Sequence, residues 1–145
     1  MTGGHAVHEA VRAFVSPNAV RNLAAGPLPG EVLEVLKLAA RSEEALERWS
    51  HELRLPRERL PDIARFFVEQ VLMTRDATHY RVLGVEPDAS PARIRSHYQL
   101  LVKWLHPDKP NAGWHAALAE RVNRAYAELE DPQRRAAYDR VLRQG

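Results

Sequence analysis

The sequence of 145 residues contains no cysteine. Disulfide bonds, thiol catalysis and zinc sites with thiolate ligands are therefore excluded. Long apolar runs are also missing, because no stretch approaches the roughly 20 residues that a membrane-spanning helix needs. The chain does not open with a basic patch followed by an apolar segment, so we expect no secretory signal and predict a cytoplasmic location.

Charge of one sign is not in large excess. The chain has 21 basic and 19 acidic side chains, and a formal net charge of +2 is too small to indicate nucleic-acid binding by itself. Apolar residues make up 45% and charged residues 28%, which is an ordinary globular composition with enough material for a core. A chain of this length forms one domain or two small ones.

The two-residue alternation of a β-strand does not occur, whereas apolar residues recur at helical spacing along most of the chain. Over residues 1–75, prolines and caps such as Ser16-Pro17 and Ser42-Glu43 delimit four or five short amphipathic helices. Their apolar stripes predict a core that includes Leu36, Trp49, Phe66 and Phe67. We therefore predict an all-α fold, with a helical module at 1–75 and a second domain at 76–145.

The second domain is organised around a predicted helical hairpin. Two apolar stripes repeat at helical spacing and should face each other as antiparallel helices: Ile94, Tyr98, Leu101 and Leu105 in the first, and Leu118, Val122, Ala125 and Leu129 in the second. Ser90-Pro91 starts the first helix, and the second is not expected to begin until about Trp114. His106-Pro107-Asp108 then lies at the tip, where proline restricts the backbone.

Residues from about Thr78 to Val141 resemble a J domain, the module of the DnaJ co-chaperone family. The matching residues are Tyr80-Arg81-Val82-Leu83-Gly84-Val85, Ile94-Arg95, Tyr98, Leu101, His106-Pro107-Asp108-Lys109, Asn123-Arg124-Ala125-Tyr126, Leu129 and Asp131-Pro132-Gln133-Arg134-Arg135-Ala136-Ala137-Tyr138-Asp139. In this frame a short helix ends at Gly84, and a final helix starts at Asp131-Pro132 with Ala137, Tyr138 and Val141 on its inner side.

The resemblance implies a non-catalytic protein that binds a DnaK-type chaperone, of the heat shock protein 70 class, and stimulates its ATPase. It also implies a set of partner-binding residues: His106, Pro107, Asp108, Lys109, Arg93, Arg95, Tyr98 and Lys103. We expect no cofactor, no metal and no catalytic residue. Residues 1–75 are predicted to bind a client or partner, or to set the location.

Three residues depart from the family pattern. Basic residues commonly follow the tyrosine of the first hairpin helix, but here Tyr98 is followed by Gln99-Leu100. This difference leaves open a scaffold that does not stimulate an ATPase. Trp104 is also unusual just before the loop; it packs either within the hairpin or, as we prefer, against the N-terminal module.

Two further alternatives rest on other side chains. A helical nucleic-acid binder would use the basic residues Arg121, Arg124, Arg134 and Arg135. A metal site would use His5 and His8, but no third ligand lies nearby in the sequence, and a polar chain end is the preferred interpretation.

Overall fold

The structure, a computed structural model, describes residues 5–105 and 112–144. Every regular element in these ranges is helical, and no strand occurs there, which confirms the all-α prediction. The chain divides into two compact units, residues 1–77 and 78–145. None of the described helices combines the length and the apolar character that crossing a membrane would require.

The first unit consists of short helices joined by proline-containing turns. Their bounds are α1 His5–Val15, α2 Pro17–Ala25, α3 Val32–Ala39, α4 Glu43–Leu53 and α5 Leu60–Phe67, with a 3₁₀ turn at Arg57–Arg59 and a π-helical segment at Val68–Leu72. The predicted serine caps are confirmed. Ser16 Oγ accepts from the Ala19 N–H at 3.2 Å, and Ser42 Oγ accepts from the Ala45 N–H at 3.4 Å.

Helices α1, α3 and α5 enclose the core of the first unit. Leu36, Trp49 and Phe67 are buried, as predicted. Phe66 is only half-buried, and its ring meets Phe14 edge-on with centroids 5.5 Å apart.

One carboxylate is buried within this unit. Glu34 on α3 accepts hydrogen bonds from Trp49 Nε1 at 3.0 Å, Lys37 Nζ at 3.1 Å and Arg48 Nη1 at 3.2 Å. Burial acts to raise the pKa of Glu34, but the hydrogen bonds and the two positive charges outweigh it and lower the pKa. The carboxylate therefore stays ionised and links α3 to α4.

The second unit contains α6 His79–Val82, α7 Pro91–Trp104, α8 Ala112–Glu130 and α9 Pro132–Gln144. The predicted cap at Ser90 is confirmed, because its Oγ accepts from the Arg93 N–H at 3.1 Å. Helix α8 begins two residues before the predicted start at Trp114. Gly113 thus lies in the first helical turn, where a glycine costs less than it would in the middle of a helix.

The prediction for the inner side of α9 was wrong at two of three positions. Tyr138 packs inward, but Ala137 is exposed and Val141 is 64% exposed. No described residue of α9 is fully buried. The helix is held instead by polar side chains that the apolar pattern does not report.

Two helices end in the same hydrogen-bonded motif with different residues at its left-handed position. After α3, the N–H groups of Arg41 and Ser42 bond to the carbonyls of Leu38 and Lys37, at 3.1 and 2.9 Å. After α6, Gly84 and Val85 repeat this pattern with Arg81 and Tyr80, both at 2.9 Å. The φ angle is 63° at Arg41 and 73° at Gly84.

Arg41→Gly should raise the free energy of unfolding by about 0.5–1 kcal/mol, because glycine adopts positive φ without the steric cost of a Cβ. Gly84→Ala should lower it by a similar amount. Urea titration of the full chain measures both changes.

Arg41→Ala distinguishes the effect of the backbone conformation on stability from the effect of the charge. The distinction is needed because the positive charge of Arg41 also acts on the neighbouring Arg65. This variant removes the charge but keeps the strained backbone. If Arg41→Ala stabilises the chain as much as Arg41→Gly, the backbone explanation is wrong.

Candidate functional site

The residues of the predicted loop lie between the end of α7 and the start of α8. Helix α7 ends at Trp104, and the Leu105 N–H closes it by bonding to the Leu101 carbonyl at 2.9 Å. Helix α8 begins at Ala112. The predicted binding residues His106, Pro107, Asp108 and Lys109 lie between these ends and outside the described residues.

The two apolar stripes of the hairpin pack as predicted. All their members are buried except Tyr98, which is half-buried: Ile94, Leu101 and Leu105 on the α7 side, and Leu118, Val122, Ala125 and Leu129 on α8. This packing fixes the register of the two helices.

Tyr98 forms an aromatic platform on one face of the hairpin. Its ring stacks on Tyr126 of α8, with centroids 3.9 Å apart and planes inclined by 5°. The Tyr98 hydroxyl donates to Asn123 Oδ1 at 2.7 Å. A predicted binding residue is thereby held in one orientation, with part of its side chain still accessible.

The predicted basic residues of α7 are all exposed, but they do not form a single strip. Arg95 and Lys103 flank Gln99 at four-residue spacing, which places the three on neighbouring positions of one side of the helix. Arg93 lies on another flank, one turn before the buried His97. Leu100 is half-buried, whereas Gln99 is exposed.

Trp104 lies at the loop end of the hairpin and is 1% exposed. Its ring meets His115 of α8 edge-on, with centroids 6.0 Å apart and planes inclined by 70°. This contact is packing within the hairpin, which was the first of the two alternatives predicted for Trp104.

His97 was not predicted to be a core residue, although its side chain is completely buried. Its Nδ1–H donates to the Leu83 carbonyl at 2.8 Å, while Nε2 is buried and has no hydrogen-bond partner in the described part of the chain. Burial, with a smaller contribution from the charge of Arg93, lowers the pKa of His97 to about 4, although the bond to Leu83 acts in the opposite direction. In the sequence, its position three residues after the apolar Ile94 would have indicated that His97 is buried.

A polar clasp, made by Tyr80, Arg135 and Asp139, attaches α9 to the rest of the second unit. Arg135 donates from Nε to the Tyr80 hydroxyl at 3.0 Å and from Nη2 to the carbonyls of Pro87 and Ala89 at 2.9 and 2.8 Å. The Tyr80 hydroxyl in turn donates to Asp139 Oδ1 at 2.6 Å. The clasp fixes the turn that precedes α7.

The arginines proposed for nucleic-acid binding do not form one free surface. Arg135 is used in the clasp. Arg124 lies 3.9 Å from Glu120, and Arg134 lies 3.9 Å from Asp131. Acidic side chains beside these arginines weaken attraction for phosphate, so the geometry does not favour this alternative.

The two N-terminal histidines have other neighbours. His5 lies 3.8 Å from Glu9, and the His8 ring meets Trp49 with centroids 5.9 Å apart. Within the described ranges, no group of three or more potential ligands among histidine, aspartate and glutamate could hold a metal ion.

In its described residues, the second unit is a small all-α module built on two packed helices, α7 and α8. Residues 78–139 match the family model described as the DnaJ domain. Residues 78–139 therefore form a DnaJ domain, in agreement with the resemblance found in the sequence.

Known relatives share mainly this domain. The chain is 49% identical over 63 residues to the chaperone protein DnaJ of Deinococcus proteolyticus, covering 42% of the chain and 20% of that protein. It is 47% identical over 62 residues to the chaperone protein DnaJ of Rickettsia prowazekii, covering 43% of the chain and 17% of that protein.

A third match is longer. The DnaJ homolog subfamily C member 7 homolog of Schizosaccharomyces pombe is 33% identical over 118 residues, covering 74% of the chain and 25% of that protein. This match exceeds the second unit and therefore reaches into the first. The chain spans a quarter or less of the length of these relatives. No match was found among solved structures.

The burial of His97 predicts a pH-dependent stability. A neutral histidine is required in the folded state, so this contribution is complete above the ordinary pKa of 6.5 and is lost as the pH falls towards about 4. The loss should reach about 3 kcal/mol at low pH. Urea titrations from pH 7 to pH 4 measure it.

His97→Gln is the matched control, because glutamine can donate to the Leu83 carbonyl but does not titrate. The difference in unfolding free energy between the parent and this variant should change across the same pH range. Parallel pH profiles would show that His97 does not control acid stability.

Proposed function

We propose that this chain is a co-chaperone that binds a DnaK-type ATPase and stimulates its ATP hydrolysis through His106-Pro107-Asp108. The observation that carries the proposal is the DnaJ-domain match over residues 78–139, which includes this tripeptide between α7 and α8. The packed hairpin supports it, because rigid helices position a short connecting loop better than a flexible chain does.

The docking surface in this proposal extends from the loop along α7. Lys109 and Lys103 supply positive charge near the loop, Arg95 continues it, and Tyr98 offers a fixed ring and hydroxyl. Arg93 contributes on the neighbouring flank. Exposed charges of one sign steer association with an acidic partner surface and mainly raise the association rate.

The proposed action is a shift between states of the partner rather than a chemical step on this chain. The loop and α7 would bind one conformational state of the ATPase more tightly than the other. The free-energy difference between those two binding events sets how far the population moves. The side chains named here bind and orient, and none is assigned a catalytic role.

The first unit would supply a separate binding function for a client or partner. Its helices bury their own apolar residues, including Leu36, Trp49 and Phe67, so its binding surface should be made by exposed side chains.

A scaffold that does not stimulate the ATPase is the second candidate. The observation that favours it is the neutral Gln99, which is exposed between Arg95 and Lys103 and interrupts their positive charge. Such a protein would dock weakly and would act through the first unit.

His106→Gln and Asp108→Asn should each reduce ATPase stimulation to near the unstimulated rate. Each change removes a group that the proposal places against the ATPase, while substitutions away from packing usually shift stability by less than about 0.5 kcal/mol. Steady-state ATP hydrolysis by a DnaK-type chaperone from the same cell measures the effect.

His51→Gln is a matched control, since His51 is exposed on α4 in the first unit. It should stimulate like the parent. Stimulation by the parent that persists in His106→Gln and Asp108→Asn would refute the role of the tripeptide, and a parent without stimulation would favour the scaffold.

Gln99→Lys should increase the association rate with the ATPase by several-fold at low salt and make that rate more salt-dependent. The new charge would join Arg95 and Lys103 on one side of α7 and extend the field that steers encounter. Stopped-flow binding at two ionic strengths measures both quantities.

Gln144→Lys, at the exposed end of α9, adds the same charge elsewhere in the second unit. Equal rate increases in both variants would indicate a general charge effect. The same rates in Gln99→Lys and the parent would show that this side of α7 does not face the partner.

A further inference from the structure

The hairpin is bridged by aromatic ring contacts at two levels. Tyr98 stacks on Tyr126 in the middle of the helices, and Trp104 meets His115 at the end where the loop is attached. The second contact joins the last residue of α7 to the first turn of α8. It therefore bridges the two points between which the loop must run.

Burial fixes the Trp104 side chain at the end of α7. Trp104 and Leu101 are each 1% exposed, and Leu105 is 3% exposed. A large planar side chain packed on this scale has few alternative rotamers. The end of α7 is thus anchored before the loop begins.

His115 is the residue of α8 that contacts Trp104. Its ring is half-buried, and its Nδ1 is buried without a hydrogen-bond partner in the described ranges. Leaving a buried nitrogen unpaired costs free energy. No hydrogen bond of Nδ1 within the described ranges accounts for an imidazole at this position.

We propose that Trp104 and His115 form a positioning pair for His106-Pro107-Asp108. The edge-on contact links the end of α7 to the first turn of α8, the two points that the tripeptide's segment joins, and the pair would thereby orient the tripeptide. This inference rests on the proposed function. It assigns to the pair the orientation of the tripeptide, and to Tyr98 and the α7 charges the affinity of docking.

The test separates maximal stimulation from docking affinity in the full chain. His115→Ala removes one ring and leaves Trp104 in place. We expect maximal ATPase stimulation to fall on the order of tenfold, as small misplacements of a functional group can cause. The concentration that gives half-maximal stimulation should change by less than about twofold.

Two further variants act as controls. His115→Phe keeps an aromatic edge beside Trp104 and should retain most of the maximal stimulation. Leu129→Ala removes buried apolar volume near the opposite end of α8 and should lower stability without changing either ATPase parameter.

A second readout does not depend on ATPase activity. Backbone amide chemical shifts of His106, Asp108 and Lys109 should change in His115→Ala, return towards the parent in His115→Phe and stay close to it in Leu129→Ala. This measurement tests positioning even if the parent stimulates no ATPase, in which case the proposed function alone fails.

Two results would overturn the positioning role. One is a folded His115→Ala protein with the maximal stimulation and loop chemical shifts of the parent. The other is an equal loss in Leu129→Ala, which would attribute the effect to general destabilisation.

Discussion

The packing of α7 against α8 is the constraint on which the second unit depends. Its apolar contacts set the register of the two helices, and the register determines where the connecting loop begins and ends. Leu101 and Leu105 near the end of α7, and Leu118 and Val122 in the first half of α8, are all buried in this packing. Burial of several such side chains contributes about 1.5–3 kcal/mol each, before the cost of ordering the chain.

Helix α9 joins this hairpin by a different kind of interaction. Arg135 bonds to Tyr80 and to two backbone carbonyls in the turn before α7, and Asp139 accepts from the Tyr80 hydroxyl. Burial and the bond to Asp139 raise the pKa of Tyr80, so its hydroxyl stays protonated and can donate. The second unit therefore combines an apolar hairpin with a polar clasp. Because the clasp holds the turn that leads into α7, it also limits where the N-terminal end of that helix can lie.

Features determined by local chemistry could be predicted from the sequence. Ser16, Ser42 and Ser90 cap helices because each bonds to an N–H three residues later, and the hairpin stripes follow from helical periodicity alone. Features determined by distant partners could not. Glu34 is buried because Trp49 and Arg48 from another helix satisfy it, and His97 because the Leu83 carbonyl accepts its proton. Val141 was assigned inward by periodicity, but polar contacts decide the rotation of α9.

The charges of α7 show how helix geometry limits an inference from sequence. Arg93 and Arg95 are close in the chain, yet residues two positions apart on a helix project in widely different directions, so the two do not share one side of α7. Arg95 and Lys103 share a side, and the neutral Gln99 lies between them. Electrostatic steering by α7 should consequently be weaker than in a chain with a continuous basic side. In the proposed complex, more of the binding free energy would then come from the fixed Tyr98 ring than from the charges of α7.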